Sequence, residues 1–167
     1  MGKFISFIPT PYEEVKDFFE LAPVSGADVV YDLGCGDGRL LATALEKGAG
    51  RAVGVDIDPE RIRDARDLTT RKGFESLVSF VEGDVMDANL SDATLVLCYL
   101  ITAASVALKP KFEAELKPGT RVVMESFPVP GWRPVETRQD GYKTFYLYKM
   151  PPEAMSETAL EMLYPGY

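Results

Sequence analysis

The feature that most constrains this 167-residue chain is an apolar run, an acid and three alternating glycines, placed directly before a helical pattern. Residues 29–33 are mostly apolar or β-branched, which is typical of a strand buried in a parallel sheet. Gly34, Gly36 and Gly38 follow, and apolar residues then recur with helical spacing. Glycines leave room for a ligand and permit positive φ angles. The segment predicts one strand–turn–helix unit of a doubly wound α/β fold with a nucleotide-type cofactor at the turn.

The spacing of the glycines differs from the dinucleotide fingerprint G-x-G-x-x-G, because this loop has the pattern D-x-G-x-G-x-G. Its acid, Asp32, is a poor neighbour for a pyrophosphate but a good acceptor for an ammonium group. The pattern resembles the first motif of class I S-adenosylmethionine-dependent methyltransferases, whose cofactor is cationic and lacks phosphate. The resemblance implies S-adenosyl-L-methionine as the cofactor, with contacts from Asp32 and from Gly34, Cys35, Gly36 and Gly38. The alternative is a glycine-rich turn that serves packing alone.

A second apolar run, over residues 51–55, ends at Asp56. Neighbouring parallel strands end side by side, so this carboxylate is predicted to face the ribose of a nucleoside bound over the first strand. Dinucleotide-binding proteins have an acid at the same place, and Asp56 therefore indicates a ribose rather than a cofactor class. Ile57 is included with it as a cofactor contact. Asp58 is interpreted mainly as the N-cap of a helix that has Pro59 at its first position.

The third predicted strand, over residues 78–82, is followed by Asp84 and Val85. A carboxylate at this strand end can accept a hydrogen bond from the adenine amine, with Val85 against the face of the base. The alternative for Asp84 is a simple turn residue. Together with Asp32 and Asp56, however, it completes a series of acids for an ammonium, a ribose and an adenine in chain order.

Composition limits the classes of function. A chain of this length with 46% hydrophobic residues predicts a single domain with a sizeable core. The formal charge of −8 disfavours nucleic acid as substrate, and no apolar run is long enough to suggest a membrane partner. Histidine is absent and the only cysteines are Cys35 and Cys98, so neither a metal site nor a disulfide framework is expected. We expect a cytoplasmic protein that is a monomer or a weak dimer.

The remaining segments complete the predicted fold. A helix is predicted over residues 11–22, with Thr10 as N-cap and Glu13 in a capping box. Pro110 is predicted to interrupt or restart the helix after the fourth strand. The link between the fifth strand and the final two strands is too short and too rich in proline to contain a helix. We therefore expect a Rossmann-like, doubly wound seven-stranded sheet, mostly parallel, with an antiparallel C-terminal hairpin and no helix between its fifth and sixth strands.

The domain is predicted to span residues 1–150, and residues 151–167 form an extension of it with a possible short helix. Within the domain, a group of segments resembles the small archaeal protein-lysine methyltransferases and the related mitochondrial lysine methyltransferases: F-x-P-T-P, Y-D-L-G-C-G-D-G-R, G-V-D-I-D, L-K-P-K-F-E-x-E-L-K-P-G-T-R-V-V and F-x-x-x-G-W. The resemblance covers roughly residues 5–149. It implies methyl transfer to lysine side chains of proteins, with the chain's own lysines among the candidate substrates, and cofactor contacts from Pro9 and Thr10.

Aromatic residues follow the ends of the fourth and fifth predicted strands. Tyr99, Phe127 and Trp132 are hypothesised to line a dry entrance for the acceptor amine, and Tyr99 is also a candidate cofactor contact. For Trp132 the alternative is an anchor in the core or in a loop. Glu125 is a candidate general base, although a solvated or paired strand-end carboxylate is the favoured interpretation. Two other functions stay open, a methyltransferase acting on a small molecule and a cofactor-binding module without catalysis.

Overall fold

The structure is a computed structural model that describes residues 10–99, 102–163 and 165, without the side chains of residues 102 and 103. Pro9, predicted to contact the cofactor, lies outside the described residues. The described strands are β1 (Val29–Leu33), β2 (Arg51–Asp56), β3 (Val78–Glu82), β4 (Leu95–Cys98), β5 (Arg121–Glu125), β6 (Trp132–Arg133), β7 (Glu136–Asp140), β8 (Lys143–Lys149) and β9 (Glu153–Ala154). The described helices are α1 (Tyr12–Leu21), α2 (Arg39–Glu46), α3 (Pro59–Arg71), α4 (Thr102–Glu115) and α5 (Glu157–Leu163).

The main sheet has seven strands in the order β3-β2-β1-β4-β5-β8-β7. Strands β1 to β5 pair in parallel, and β8 is antiparallel to both β5 and β7. The strand order reverses between β1 and β4, and this is where ligands bind in open α/β sheets. The predicted fold class is confirmed, including the missing helix, because only the two-residue strand β6 lies between β5 and β7.

Alternate residues of the central strands pack on opposite faces of the sheet. On one face Leu33 and Met124 join a buried cluster with Phe112 of α4. On the other face Leu97 and Phe145 pack with α1 and α2, and the rings of Phe145 and Phe18 meet edge to face with 5.1 Å between their centres. The register places Asp32, Asp56 and Glu125 on this second face, where α1 to α3 lie.

Two local predictions from the sequence are wrong. Pro11, not Thr10, is the N-cap of α1, and no side chain caps this helix. The carbonyl of Thr10 instead accepts a hydrogen bond from the side chain of Arg39. Pro110 does not interrupt α4, which continues through it to Glu115. Leu108 and Phe112 are fully buried on either side of the proline, and their packing holds the helix across the lost backbone hydrogen bond.

The C-terminal segment adds a small second sheet. Strand β9 pairs with β6 in antiparallel register, so the start of the extension is tied to the link that follows β5. Helix α5 contains no buried residue, and Met162 and Leu163 are 78% and 61% exposed. Among the described residues, no helix has the length and the apolar character needed to cross a membrane.

Candidate active site

The glycine loop turns the chain sharply between β1 and α2. Gly34, Gly36 and Gly38 have φ angles of 82°, 53° and 84°, in the left-handed region that favours glycine. A Cβ atom on Gly38 would lie 2.9 Å from the Cβ of Ala65 in α3, so this position has no room for a side chain. The backbone N–H groups of Gly34 and Cys35 both donate to the carbonyl of Val55, which fixes the loop against β2.

Asp56 holds two parts of the site together at the end of β2. Its Oδ2 accepts a hydrogen bond from the N–H of Gly36 at 3.0 Å, and its Oδ1 accepts one from the N–H of Asp58 at 2.9 Å. Each carboxylate oxygen has a further lone pair for a ligand hydroxyl. Ile57, the next residue, is 46% exposed, an unusual place for an isoleucine and a suitable one for contact with a flat base. Asp58 caps α3 as predicted, by accepting from the N–H of Glu60.

Asp84 lies beyond the neighbouring strand β3, and it serves as a turn residue in this structure. Its Oδ1 accepts a hydrogen bond from the N–H of Met86 at 2.9 Å. Asp84 and Val85 are both half-buried, and the preceding Gly83 donates its N–H to the carbonyl of Asp56. The two strand ends therefore lie side by side, as the sequence predicts. An adenine contact from Asp84 and Val85 stays a prediction.

Asp32 is buried at the end of β1, with 3% of its surface exposed. Burial raises its pKa well above the ordinary value, and the nearby carboxylates of Asp56, Asp37 and Glu125 raise it further. The same burial and the charge of Asp32 raise the pKa of the Cys35 thiol. This edge of the sheet therefore carries an excess of negative charge that favours a cation and opposes a phosphate.

Arg39, at the start of α2, is a site residue that sequence reasoning missed. Its Nε and Nη2 atoms bind the carboxylate of Asp37, with a shortest distance of 2.6 Å. Its Nη1 donates to the carbonyl of Thr10 at 2.8 Å, and its guanidinium lies 4.4 Å from the ring centre of Tyr12. Burial raises the pKa of Asp37, but the contacts with Arg39 lower it by more, and the pKa lies below its ordinary value. Arg39 thus links the chain before α1 to the glycine loop. The only sequence signal for this role is the D-G-R spacing within the loop.

Tyr99 lies half-buried directly after β4, at the same edge of the sheet. The Nζ atom of Lys143, at the start of β8, lies 5.0 Å from the centre of its ring. The same Nζ lies 2.7 Å from Oε1 of Glu125, and it also pairs with Glu14 of α1. The interpretation of Glu125 as a paired strand-end carboxylate is confirmed. Lys143 and Glu14 were not predicted, because both are far from Glu125 in the sequence.

The chain turns immediately after Glu125. Ser126 has a φ of 67°, and the N–H of Phe127 donates to the carbonyl of Glu125 at 2.8 Å. This is the geometry of a γ-turn, which is rare and strained for a residue other than glycine. The N–H of Ser126 donates to the carbonyl of Thr144, so β8 holds the turn in place. Phe127 is half-buried beyond this turn, and its role at the entrance stays a prediction.

Trp132 does not belong to this edge of the sheet, and its predicted place at the entrance is wrong. It is 3% exposed, and its ring packs against Phe112 and Tyr148. Tyr148 pairs with Val122 near the start of β5, at the end of the strand away from Glu125. The indole Nε1 donates to Glu113 at 3.0 Å. Trp132 is therefore a core anchor, the alternative that the sequence left open.

Comparison with known proteins decides what this site is. The family model of the ANTKMT methyltransferase domain matches residues 32–136, from the acid of the glycine loop to the start of β7. The chain belongs to this methyltransferase family. A protein-lysine N-methyltransferase of Saccharolobus islandicus is 44% identical to it over 149 residues, 86% of this chain and 92% of that protein.

The names of two other relatives give different substrates. The adenine nucleotide translocase lysine N-methyltransferase of Mus musculus is 33% identical over 70% of this chain, which spans about half (51%) of that protein's length. A crystal structure of an RNA methyltransferase from Salinibacter ruber, in complex with S-adenosyl-L-homocysteine, has a TM-score of 0.84 and 38% identity. That comparison covers 91% of this chain and 99% of the other. The chain is an S-adenosylmethionine-dependent methyltransferase.

The residues of the methyltransferase fit this cofactor. Its sulfonium and ammonium groups are cations, and the acids around Asp32 supply the negative charge that the structure concentrates there. The glycine loop has no side chains at three positions beside the strand ends, and Asp56 has free lone pairs for ribose hydroxyls. No group of three or more His, Cys, Asp or Glu side chains in the described residues is arranged to hold a metal ion.

Proposed function

We propose that this methyltransferase transfers methyl groups to lysine side chains of proteins. The observation that carries the proposal is the environment of Tyr99, where the chain already holds a lysine ammonium 5.0 Å from an aromatic ring centre and against the carboxylate of Glu125. An edge of the sheet that accommodates one lysine side chain has the chemistry to accept another. The 44% identity to a protein-lysine N-methyltransferase supports the same substrate.

The cofactor, when bound, supplies a methyl group on a cationic sulfur. The work of the chain is to bind, to orient and to exclude water. Asp32 faces the cationic part of the cofactor, Asp56 faces the ribose, and Asp84 with Val85 faces the base. Tyr99 and Phe127 border the acceptor. Alignment of a nucleophile with the methyl carbon contributes about 7–11 kcal/mol without a covalent intermediate.

The acceptor lysine must lose a proton before it attacks. With a reference pKa of about 10.4, this deprotonation costs roughly 4–5 kcal/mol at pH 7. Burial beside Tyr99 lowers that cost because it disfavours the charged form of an amine, whereas nearby carboxylates favour the charged form and oppose the effect, as they do at Lys143. The rate is therefore expected to rise with pH through the neutral range, as the fraction of neutral amine rises.

RNA is the second candidate substrate, because a relative with 38% identity is described as an RNA methyltransferase. The charge of this chain argues against it. The formal net charge is −8, and at the acceptor edge Lys143 is already paired with two carboxylates. Binding of a phosphate backbone depends mainly on available lysine and arginine side chains.

The test is a methyl-transfer assay with a radiolabelled cofactor and two acceptors, an unstructured peptide with a single lysine and total RNA. A matched peptide with norleucine in place of lysine is the control. We expect label on the lysine peptide alone. Label on RNA and none on the peptide would reject the proposal, and so would a lack of label on both. We also infer a cytoplasmic location, in which the free thiols Cys35 and Cys98 stay reduced, and cell fractionation tests this.

A further inference from the structure

Glu125 has an unusual environment for a carboxylate. It is fully buried at the end of β5, and its Oε1 forms an ion pair with Lys143 at 2.7 Å. Apart from this ion pair, neither oxygen of the carboxylate has a hydrogen-bond partner in the part of the chain that the structure describes. A buried carboxylate oxygen without a partner is costly, and such groups are retained where a ligand completes them.

Charge at this place is also unbalanced. Glu14 reaches the same ammonium from α1, so Lys143 serves two carboxylates at once. Although burial lowers the pKa of the lysine, both carboxylates raise it above its ordinary value, and Lys143 stays a cation. Burial raises the pKa of Glu125, Lys143 opposes that shift, and the charge of Glu14 adds to it. When both carboxylates are ionised, one negative charge is left over. Either a proton shared between Glu125 and Glu14 or one further ammonium group would balance it.

We propose that Glu125 and Glu14 receive the ammonium group of the acceptor lysine, and that Lys143 is a positioning residue that holds their carboxylates in place. The inference rests on the proposed function and assigns residues to the acceptor side of that site. The Glu14 side chain is 20% exposed and Glu125 is fully buried, so an ammonium group arriving from solvent would meet Glu14 first.

In this role a carboxylate binds the acceptor ammonium group and does not keep the proton that the ammonium loses. The acceptor ammonium releases its proton to bulk water, and the neutral nitrogen attacks the methyl carbon. The new N–C bond forms as the C–S bond breaks, with its electron pair passing to sulfur and the positive charge passing to nitrogen. The nitrogen is cationic in the bound ammonium and becomes cationic again during transfer. Glu125 stabilises both cationic forms of the nitrogen, so replacement of Glu125 is expected to raise KM more than it lowers kcat.

The experiment compares Glu125→Gln and Glu14→Gln with two matched controls, Glu13→Gln on the exposed side of α1 and Glu136→Gln on β7. Lys143 retains one carboxylate partner in either site variant, which favours correct folding. For Glu125→Gln we expect the KM of a single-lysine peptide to rise about 10–100-fold, the range that corresponds to one hydrogen bond to a charged group. The more exposed Glu14 is expected to give about 2–5-fold. The controls are expected to match the wild type.

Two readouts separate this role from a purely structural one. Calorimetry is expected to give the wild-type S-adenosylmethionine affinity in Glu14→Gln and in both controls. For Glu125→Gln it is expected to give a loss of affinity much smaller than the rise in KM, because Glu125 is only the weakest of the charges that act on Asp32. Fluorescence anisotropy with S-adenosylhomocysteine present is expected to show that Glu125→Gln no longer prefers the lysine peptide to its norleucine match. An unchanged KM would overturn the inference and leave lysine methylation intact. A parallel loss of cofactor affinity would overturn it as well, because Glu125 would then serve the cofactor's amine. If the wild type did not methylate lysine at all, the proposed function itself would be rejected.

Discussion

Asp56 accepts a hydrogen bond from the N–H of Gly36 at 3.0 Å, and this bond joins the end of β2 to the middle of the glycine loop. The second oxygen of the same carboxylate binds the N–H of Asp58 at the start of α3. One side chain thus shapes the glycine loop and lies at the strand end where the sequence predicts the ribose of the cofactor. Binding and local structure are coupled at Asp56.

Replacement of Asp56 is therefore expected to weaken cofactor binding and to destabilise the fold. In Asp56→Ala, two backbone N–H groups lose their acceptor, each at a cost of about 1–3 kcal/mol where water does not replace it. We expect S-adenosylmethionine affinity to fall by at least about tenfold, measured by calorimetric titration. The control is Asp58→Ala, which removes only the cap of α3 and is expected to cost about 1 kcal/mol of stability with unchanged affinity. Equal affinity losses in both variants would show that the ribose contact is not at Asp56.

Replacement of Arg39 is expected to weaken cofactor binding and to leave the methyl-transfer step unchanged. The guanidinium of Arg39 binds the carboxylate of Asp37 through Nε and Nη2 and donates to the carbonyl of Thr10 through Nη1. The single ammonium group of a lysine cannot make these contacts at the same time. For Arg39→Lys we expect S-adenosylmethionine affinity to fall about 3–10-fold, because the glycine loop and the chain before α1 lose a shared partner. The control is Arg63→Lys on the exposed side of α3. An affinity equal to that of the control would show that Arg39 serves only the fold.

Local patterns were sufficient to predict where the three strand-end acids lie. Asp32, Asp56 and Asp84 each follow an apolar run, and parallel strands necessarily bring their carboxyl ends together. Asp58 was predicted as a cap because its partner is only two residues away. In each case the signal and the structure lie within one short segment of sequence.

The acceptor side was not predictable in the same way. Lys143 meets Glu14 across 129 residues, and that contact exists only because the β7–β8 hairpin packs on α1. Trp132 follows the glycine–tryptophan pattern expected at a strand end, but the pairing of β6 with β9 directs it into the core. Thr10 fits a capping box, yet its carbonyl is engaged by Arg39. Each error reflects a tertiary contact that overrides a local preference.

Trp132 provides a test of its assignment to the core. Trp132→Phe removes part of a buried ring and the hydrogen bond to Glu113, which together are expected to cost about 2 kcal/mol. This corresponds to a decrease of about 4–8 °C in melting temperature, measured by circular dichroism because no other tryptophan is present. Cofactor affinity and the KM of a lysine peptide are expected to stay unchanged. A higher KM with an unchanged melting temperature would contradict the core assignment and support a place for Trp132 at the entrance for the acceptor amine.

Asp32 is expected to make cofactor binding depend on pH. Its pKa in the free protein is raised, first by burial and then by Asp56, Asp37 and Glu125, so this carboxyl keeps its proton to a higher pH than an exposed aspartate does. A bound cation favours the ionised form. Binding therefore releases a proton, and affinity is expected to increase as pH rises through the raised pKa. Calorimetry in two buffers with different ionisation enthalpies measures the number of protons released.

The isosteric variant Asp32→Asn separates binding from stability. A carboxyl whose folded-state pKa lies above its unfolded value binds more protons in the native state, so stability falls as pH rises past the unfolded value. Asparagine removes the carboxylate charge and keeps the shape. We expect Asp32→Asn to melt at a higher temperature than the wild type at pH 7, by roughly 2–4 °C for each kcal/mol gained. Its S-adenosylmethionine affinity is expected to be lower and independent of pH over the range in which the wild type varies. A variant that is less stable at pH 7, or that binds with the wild-type pH dependence, would show that another group carries the unfavourable charge.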